Sequence, residues 1–170
     1  MYKQQRGTVL IMALLFLIIM TLLGTSHIRT ATLEEKISLN LIEANHSFQS
    51  AESGLRDAEK WLVNQNSKPL AVATCTSAPC DVWQINVLPN LATQSNAWWQ
   101  SNGRIFSSSL STVMPPYHVI SEYYFIPDDL NPDTQVSGAG LHYYTVTAAG
   151  TGGNESAQSV VQSVFATRFN

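Results

Sequence analysis

Thr8 to Leu23 reads TVLIMALLFLIIMTLL, a run with no charged residue in it. With Gly24, Thr25 and Ser26 it reaches the roughly 20 residues needed to cross a hydrocarbon core ~30 Å thick. Lys3 and Arg6 stand before the run, and Glu34 and Glu35 follow it. Basic residues favour the cytoplasmic side, which places the N-terminus inside and the bulk of the chain outside. Arg29 on the far side weakens that orientation without reversing it.

The rest of the chain fits a single crossing. Lys, Arg, Asp and Glu make up 12% of the 170 residues, about half the usual share of roughly 25%. The mean hydropathy is nevertheless zero, too polar for a protein of many spans. Charge is concentrated in residues 34–60 and sparse from 61 to 170. The net charge of −3 excludes a chain that holds nucleic acid by bulk electrostatics, because neutralising phosphates takes clustered Lys and Arg. No polybasic patch for an anionic membrane surface is present either.

Three kinds of segment share an apolar run of this length. A cleaved secretory signal wants a shorter core followed by small residues, and Gly24-Thr25-Ser26-His27 is a poor version of that site. A permanent single-pass anchor is physically sufficient. The third kind turns on Gly7, which ends the short basic leader MYKQQRG directly before the apolar run. A cut there falls on the cytoplasmic side and leaves the apolar helix attached, the layout of a type IV prepilin. Glycine, lacking Cβ, fits closely beside a protease's catalytic groups.

Downstream the apolar residues continue as Leu33, Ile37, Leu41, Ala44, Phe48, Ala51, Leu55, Ala58 and Leu62. Their mean step is about 3.6 residues, one stripe on one face of an α-helix. Proline is absent before Pro69. The pattern predicts one helix from Thr8 to about Val63, roughly 84 Å at 1.5 Å per residue. Residues 8–27 form its transmembrane or filament-core half and 28–63 its amphipathic half. Gly24 and Gly54 are expected weak points, each costing up to about 1 kcal/mol against alanine. Glu52 and Arg56 are spaced for a helical ion pair. A soluble coiled coil has no use for the charge-free half, and a plain anchor has no need of the stripe.

Arg29-Thr30-Ala31-Thr32-Leu33-Glu34-Glu35-Lys36, then Asn40, then Ser47 to Glu59 (SFQSAESGLRDAE) closely resemble the N-terminal region of PilX-type minor pilins. The resemblance covers residues 1–62 and recurs at Tyr143 to Gly153, which is similar to the family's closing strand and turn. It implies an α+β pilin fold, one long N-terminal helix packed on a C-terminal antiparallel β-sheet. It also implies a leader peptide at 1–7, cleavage by a prepilin peptidase between Gly7 and Thr8, and N-methylation of Thr8. One position departs from the major pilins, which carry Glu at the fifth mature position where this chain has Met12. In those proteins the carboxylate pairs with the N-terminal amine of a neighbour, since alone in an apolar bundle it is expensive. A chain without it is expected at a filament tip; as a bare anchor residue Met12 is one more lipid-facing side chain.

Residues 64–170 read as the sheet domain, outside the inner membrane, holding all seven prolines and abundant Ser, Thr, Asn and Gln. Tyr117–Ile126, Leu141–Ala149 and Ser159–Phe169 are rich in aromatic and β-branched residues and are expected strands. Gly150 to Ser156 is expected to close a hairpin. Asp81–Val87 is a candidate fourth strand and Leu91–Gln100 a candidate short helix ending in Trp98-Trp99, a possible partner anchor. Cys75 and Cys80 lie in the oxidising compartment that this topology implies, so a disulfide is expected. Asp129, Asn131 and Asp133 begin like a calcium loop. Thr134 then stands where the turn glycine belongs and Gly140 where the bidentate glutamate belongs, so a solvated turn is the expectation.

No G-x-S-x-G, P-loop or H-E-x-x-H occurs, and neither catalysis nor a cofactor is expected. The leading expectation is a minor pilin that helps prime type IV pilus assembly in a tip complex, supporting twitching motility and adhesion. By resemblance its partners are the other minor pilins, the major pilin and a large tip adhesin. Two alternatives stand beside it: a permanently anchored receptor or adhesive module, and a minor pseudopilin of a secretion system.

Overall fold

The computed structural model describes residues 6–76, 80–107, 112–131 and 138–169. One helix, α1, runs unbroken over Arg6–Val63. By compactness the chain divides between Ile42 and Glu43. The first unit contributes helix alone among its described residues. The second holds the last turns of α1 and, among its described residues, six strands: β1 Ala71–Val72, β2 Val82–Trp83, β3 Arg104–Ile105, β4 Tyr117–Pro127, β5 Gly140–Thr151 and β6 Gln158–Thr167.

The strands form one sheet in the order β1-β2-β4-β5-β6, with β3 also on β4. The expected antiparallel ladder is its body, β4 on β5 and β5 on β6. Two short parallel pairings, β1 on β2 and β2 on β4, make the sheet mixed. The candidate strand over 81–87 shrinks to two residues. Asn86 has φ 61°, a left-handed backbone that cannot continue an extended strand. The candidate helix over 91–100 is likewise broken. A 3₁₀ turn occupies Leu91–Thr93, and the second α-helix, α2, occupies Asn96–Asn102. Gln94 and Ser95 between them are extended, and the Ser95 side chain caps α2 by accepting from the Trp98 amide.

Leu55, Ala58 and Leu62 of α1 pack on Ile120, Tyr144, Val146 and Ala148. The buried face of α1 differs from the apolar stripe at its upper end. Ala51, Leu55, Ala58 and Leu62 are buried as expected, but Phe48 is 51% exposed, while Ser47 and Ser50 are buried. Leu33, Ile37 and Leu41 are exposed too. At Phe48 the cause is backbone proximity. A Cβ on Gly150 of β5 would stand 2.7 Å from both the Ser47 carbonyl and the Ser50 Cβ, and hard against the Ala51 amide. Only small residues fit such a contact, so Ser47, Ser50 and Ala51 face the strand in preference to Phe48. The Ser47 hydroxyl closes the seat on Ser159 of β6 at 2.6 Å. Gly54 therefore serves packing, since a Cβ there would sit 3.1 Å from that of Pro116.

Gly150 and Thr151 belong to β5, not to the expected turn, which is tightened to Gly152–Ala157 with the Gly152 amide bonded to the Ala157 carbonyl at 2.8 Å. The helical ion pair forms, with Arg56 Nη2 3.0 Å from Glu52 Oε1; exposed as it is, it contributes only a few tenths of a kcal/mol.

His118 lies on the sheet face beneath the helix, 1% exposed. Its Nδ1 is 3.9 Å from Asp57 Oδ2, too far for a hydrogen bond. Burial, and secondarily the Arg104 guanidinium, push its pKa down to about 4. An unfolded chain takes this proton near 6.5, whereas the folded chain refuses it until about 4. Protonation therefore favours unfolding as pH falls through that window, by up to about 3 kcal/mol at the lower end. Thermal unfolding at pH 7 and pH 4.5 is expected to show a loss that His118→Leu largely removes. An equal loss in both proteins would refute this role.

Candidate assembly site

The helix segment Thr8–Leu23 is the first candidate functional surface. Its large apolar side chains from Val9 to Leu23 are each between 45% and 73% exposed. α1 is long and apolar enough to cross a membrane, and none of its most apolar stretch is buried within the protein. Exposure on all sides is what a helix has when lipid or a bundle of like helices is its medium.

Four threonines in and just beyond this stretch are satisfied within the helix. The Thr21 hydroxyl donates to the Ile18 carbonyl at 2.8 Å and that of Thr25 to Leu22 at 2.9 Å. Thr30 and Thr32 donate likewise to Ser26 and Arg29. In hydrocarbon an unsatisfied hydroxyl costs several kcal/mol, so this back-bonding lets threonine reside there. Gly24 has nothing within 4 Å of where a Cβ would stand.

Gly7 and Thr8 lie in the first turns of α1, so the expected cleavage point is helical backbone. Met12 is 61% exposed and shares the helix surface with Leu15, Phe16 and Ile19, so no carboxylate is offered at that level.

In the sheet domain the structure sorts the other candidates. Cys75 and Cys80 are bonded, and both sulfur-bearing residues pack against the cluster of Trp83, Trp99, Val119 and Ala149. Trp99 belongs to that core, 1% exposed, which removes it from the possible partner anchor. Trp98 is half-buried and meets Trp99 edge-on, ring centres 5.3 Å apart, so its ring is largely spent on the same core. At the candidate calcium loop, Asp129 Oδ1 accepts from the Asn131 amide at 2.9 Å, the hydrogen bond of an Asx turn. Asp133 and Thr134 lie outside the described residues. Among the described residues no three His, Cys, Asp or Glu side chains are grouped to hold a metal.

Arg104 was not singled out by the sequence. Its guanidinium lies 5.3 Å from the Trp61 ring centre on α1 and bonds Asp81 at 2.6 Å. It thereby ties β3 and the start of β2 to the helix. No spacing signal could have found it, since its partners are 23 and 43 residues away in sequence.

Residues 6–56, under a third of the chain, match the PilX N-terminal family model. The match supports a PilX-type pilin, and a type IV pilus minor pilin in general terms. A pilin-family match together with one long apolar N-terminal helix is consistent with a membrane-anchored, pilus-associated protein that meets other pilus components. No curated protein and no solved structure matches the chain.

Proposed function

We propose that this chain is a minor pilin that enters the priming and tip complex of a type IV pilus, supporting twitching motility and adhesion. The observation that carries the reading is α1 itself. Its first half is an apolar surface exposed on every side, and its last turns are locked on a sheet through Gly150 and Gly54. A subunit made this way waits in the inner membrane and is then drawn into a filament core while its sheet domain keeps its own fold. Before assembly the chain spans the inner membrane once, with residues 64–170 in the periplasm; afterwards it resides at the pilus tip.

Processing follows from the leader. Prepilin peptidase cuts between Gly7 and Thr8, and the new Thr8 amine is methylated. Lys3 and Arg6 leave with the leader, so the formal net charge moves from −3 to −3 − 2 = −5. Met12 cannot supply the carboxylate that pairs with a neighbour's terminal amine, which favours a tip position, where one axial neighbour is missing. The other minor pilins, the major pilin and a large tip adhesin are its partners, and its role is packing rather than catalysis. Mass spectrometry of the mature chain tests this directly. A methylated Thr8 N-terminus is expected; an intact Met1 would instead support a permanent anchor or receptor. A secretion-system pseudopilin would show the same terminus, and deletion with assays of pilus number and of secretion separates the two.

A further inference from the structure

The face of the sheet turned away from α1 carries a groove of about 410 Å³, within the roughly 300–1,000 Å³ of small-ligand sites. Its floor is built from side chains that alternate with the core residues Ile120, Val146 and Ala148. Ser121 of β4 and Thr145 of β5 are cross-strand partners there. Beside them Gln162 of β6 donates its side-chain amide to the Thr147 hydroxyl at 3.0 Å. The segment after β2 forms the wall, where the left-handed backbone of Asn86 turns the chain over the strands. Tyr123, at the irregularity that interrupts the β4–β5 register, stands at the rim 53% exposed.

The lining is almost free of charge. Among the described residues that line it Glu122 alone is charged, and that carboxylate is held by Lys68 Nζ at 2.7 Å. No cation is left over for an anionic ligand. Side-chain amides and hydroxyls, groups that both donate and accept, share the lining about equally with apolar side chains such as Ile85, Leu88, Leu91 and Val160. A tyrosine ring at the rim adds one apolar platform. We propose that this groove binds a neutral oligosaccharide. Sugar hydroxyls need donors and acceptors interleaved without net charge, and the C–H face of a sugar ring needs a flat apolar surface. An extended peptide is the poorer fit. Its backbone seeks a free strand edge, and the edge that borders the floor is the far side of β6, beyond the groove, whereas β5 at its centre is paired on both sides with β4 and β6.

The proposal does not rest on filament entry, and its test uses the purified full chain in a detergent without a sugar headgroup. An array of neutral oligosaccharides is probed beside sialylated and sulfated ones and neutral peptides, and the best ligand is titrated by calorimetry. A neutral oligosaccharide is expected to bind. Tyr123→Ala and Thr145→Val are each expected to weaken it about tenfold or more, with the unfolding temperature unchanged. Asn86→Gly, which keeps the left-handed backbone, is expected to weaken it too. The proposal is overturned if no neutral sugar binds at millimolar concentration, if acidic sugars or peptides bind in preference, or if all three variants bind as the parent does.

Discussion

Gly150→Val is expected to cost the sheet domain about 3 kcal/mol or more, at the upper end of overpacking, and to lower its unfolding temperature by roughly 10 °C. The added Cβ meets the Ser47 carbonyl, the Ser50 Cβ and the Ala51 amide. Two of these are backbone atoms, so no side-chain rotation relieves the clash and the helix must lift off β5. Lifting it loosens Ala51, Leu55 and Ala58, whose burial holds α1 on the sheet. Gly24→Ala is the control, because nothing lies near that position. Alanine there is expected to be neutral or slightly stabilising for the helix. Thermal unfolding followed by the sheet's circular dichroism checks both. Equal melting temperatures for Gly150→Val and the parent would mean that the helix is not seated as described.

The double substitution Leu15→Arg, Ile19→Arg is expected to abolish stable membrane residence, and with it pilus incorporation. Eleven Leu, Ile, Phe and Val residues lie between Thr8 and Leu23. At about 0.3–0.6 kcal/mol each, the nine that remain in the double variant favour insertion by roughly 3–5 kcal/mol. Two arginines near the middle of the segment oppose it by about 5–7 kcal/mol. One arginine leaves a net gain, so Leu15→Arg alone is expected to stay in the membrane fraction. Carbonate extraction followed by immunoblotting separates the outcomes. If the double variant remains in the membrane and is piliated, the apolar surface of α1 is not the inserting element.

α1 was legible in the sequence almost to its ends, because a helix without proline and with a 3.6-residue period is a local property. The three long strands were legible within a few residues, since runs such as Tyr117–Ile126 carry their own aromatic and β-branched signature. The helix–sheet contact was not. Phe48 fits the apolar stripe better than Ser47 or Ser50 does, yet the serines are inside, because Gly150, about a hundred residues away, brings strand backbone against helix backbone. The break between Thr93 and Asn96 was missed for a related reason. Ser95 can sit inside a helix or cap one, and the packing of Trp99 into the core fixed the capped start. The groove had no signature of its own, since Ser121, Thr145 and Gln162 are ordinary polar strand residues until three strands align them.

The sequence by itself determined the properties that depend on neighbours along the chain: one apolar segment of crossing length, its uninterrupted helical continuation, the resemblance to PilX-type minor pilins and the charge-poor outer domain. Tertiary structure alone decided which face of α1 is buried, that Trp99 is core, that the sheet is mixed, and that uncharged side chains converge on one groove. The difference is physical. Hydrophobic run length and helical period act over a few residues, whereas close backbone approach and cross-strand register are fixed only when distant segments meet.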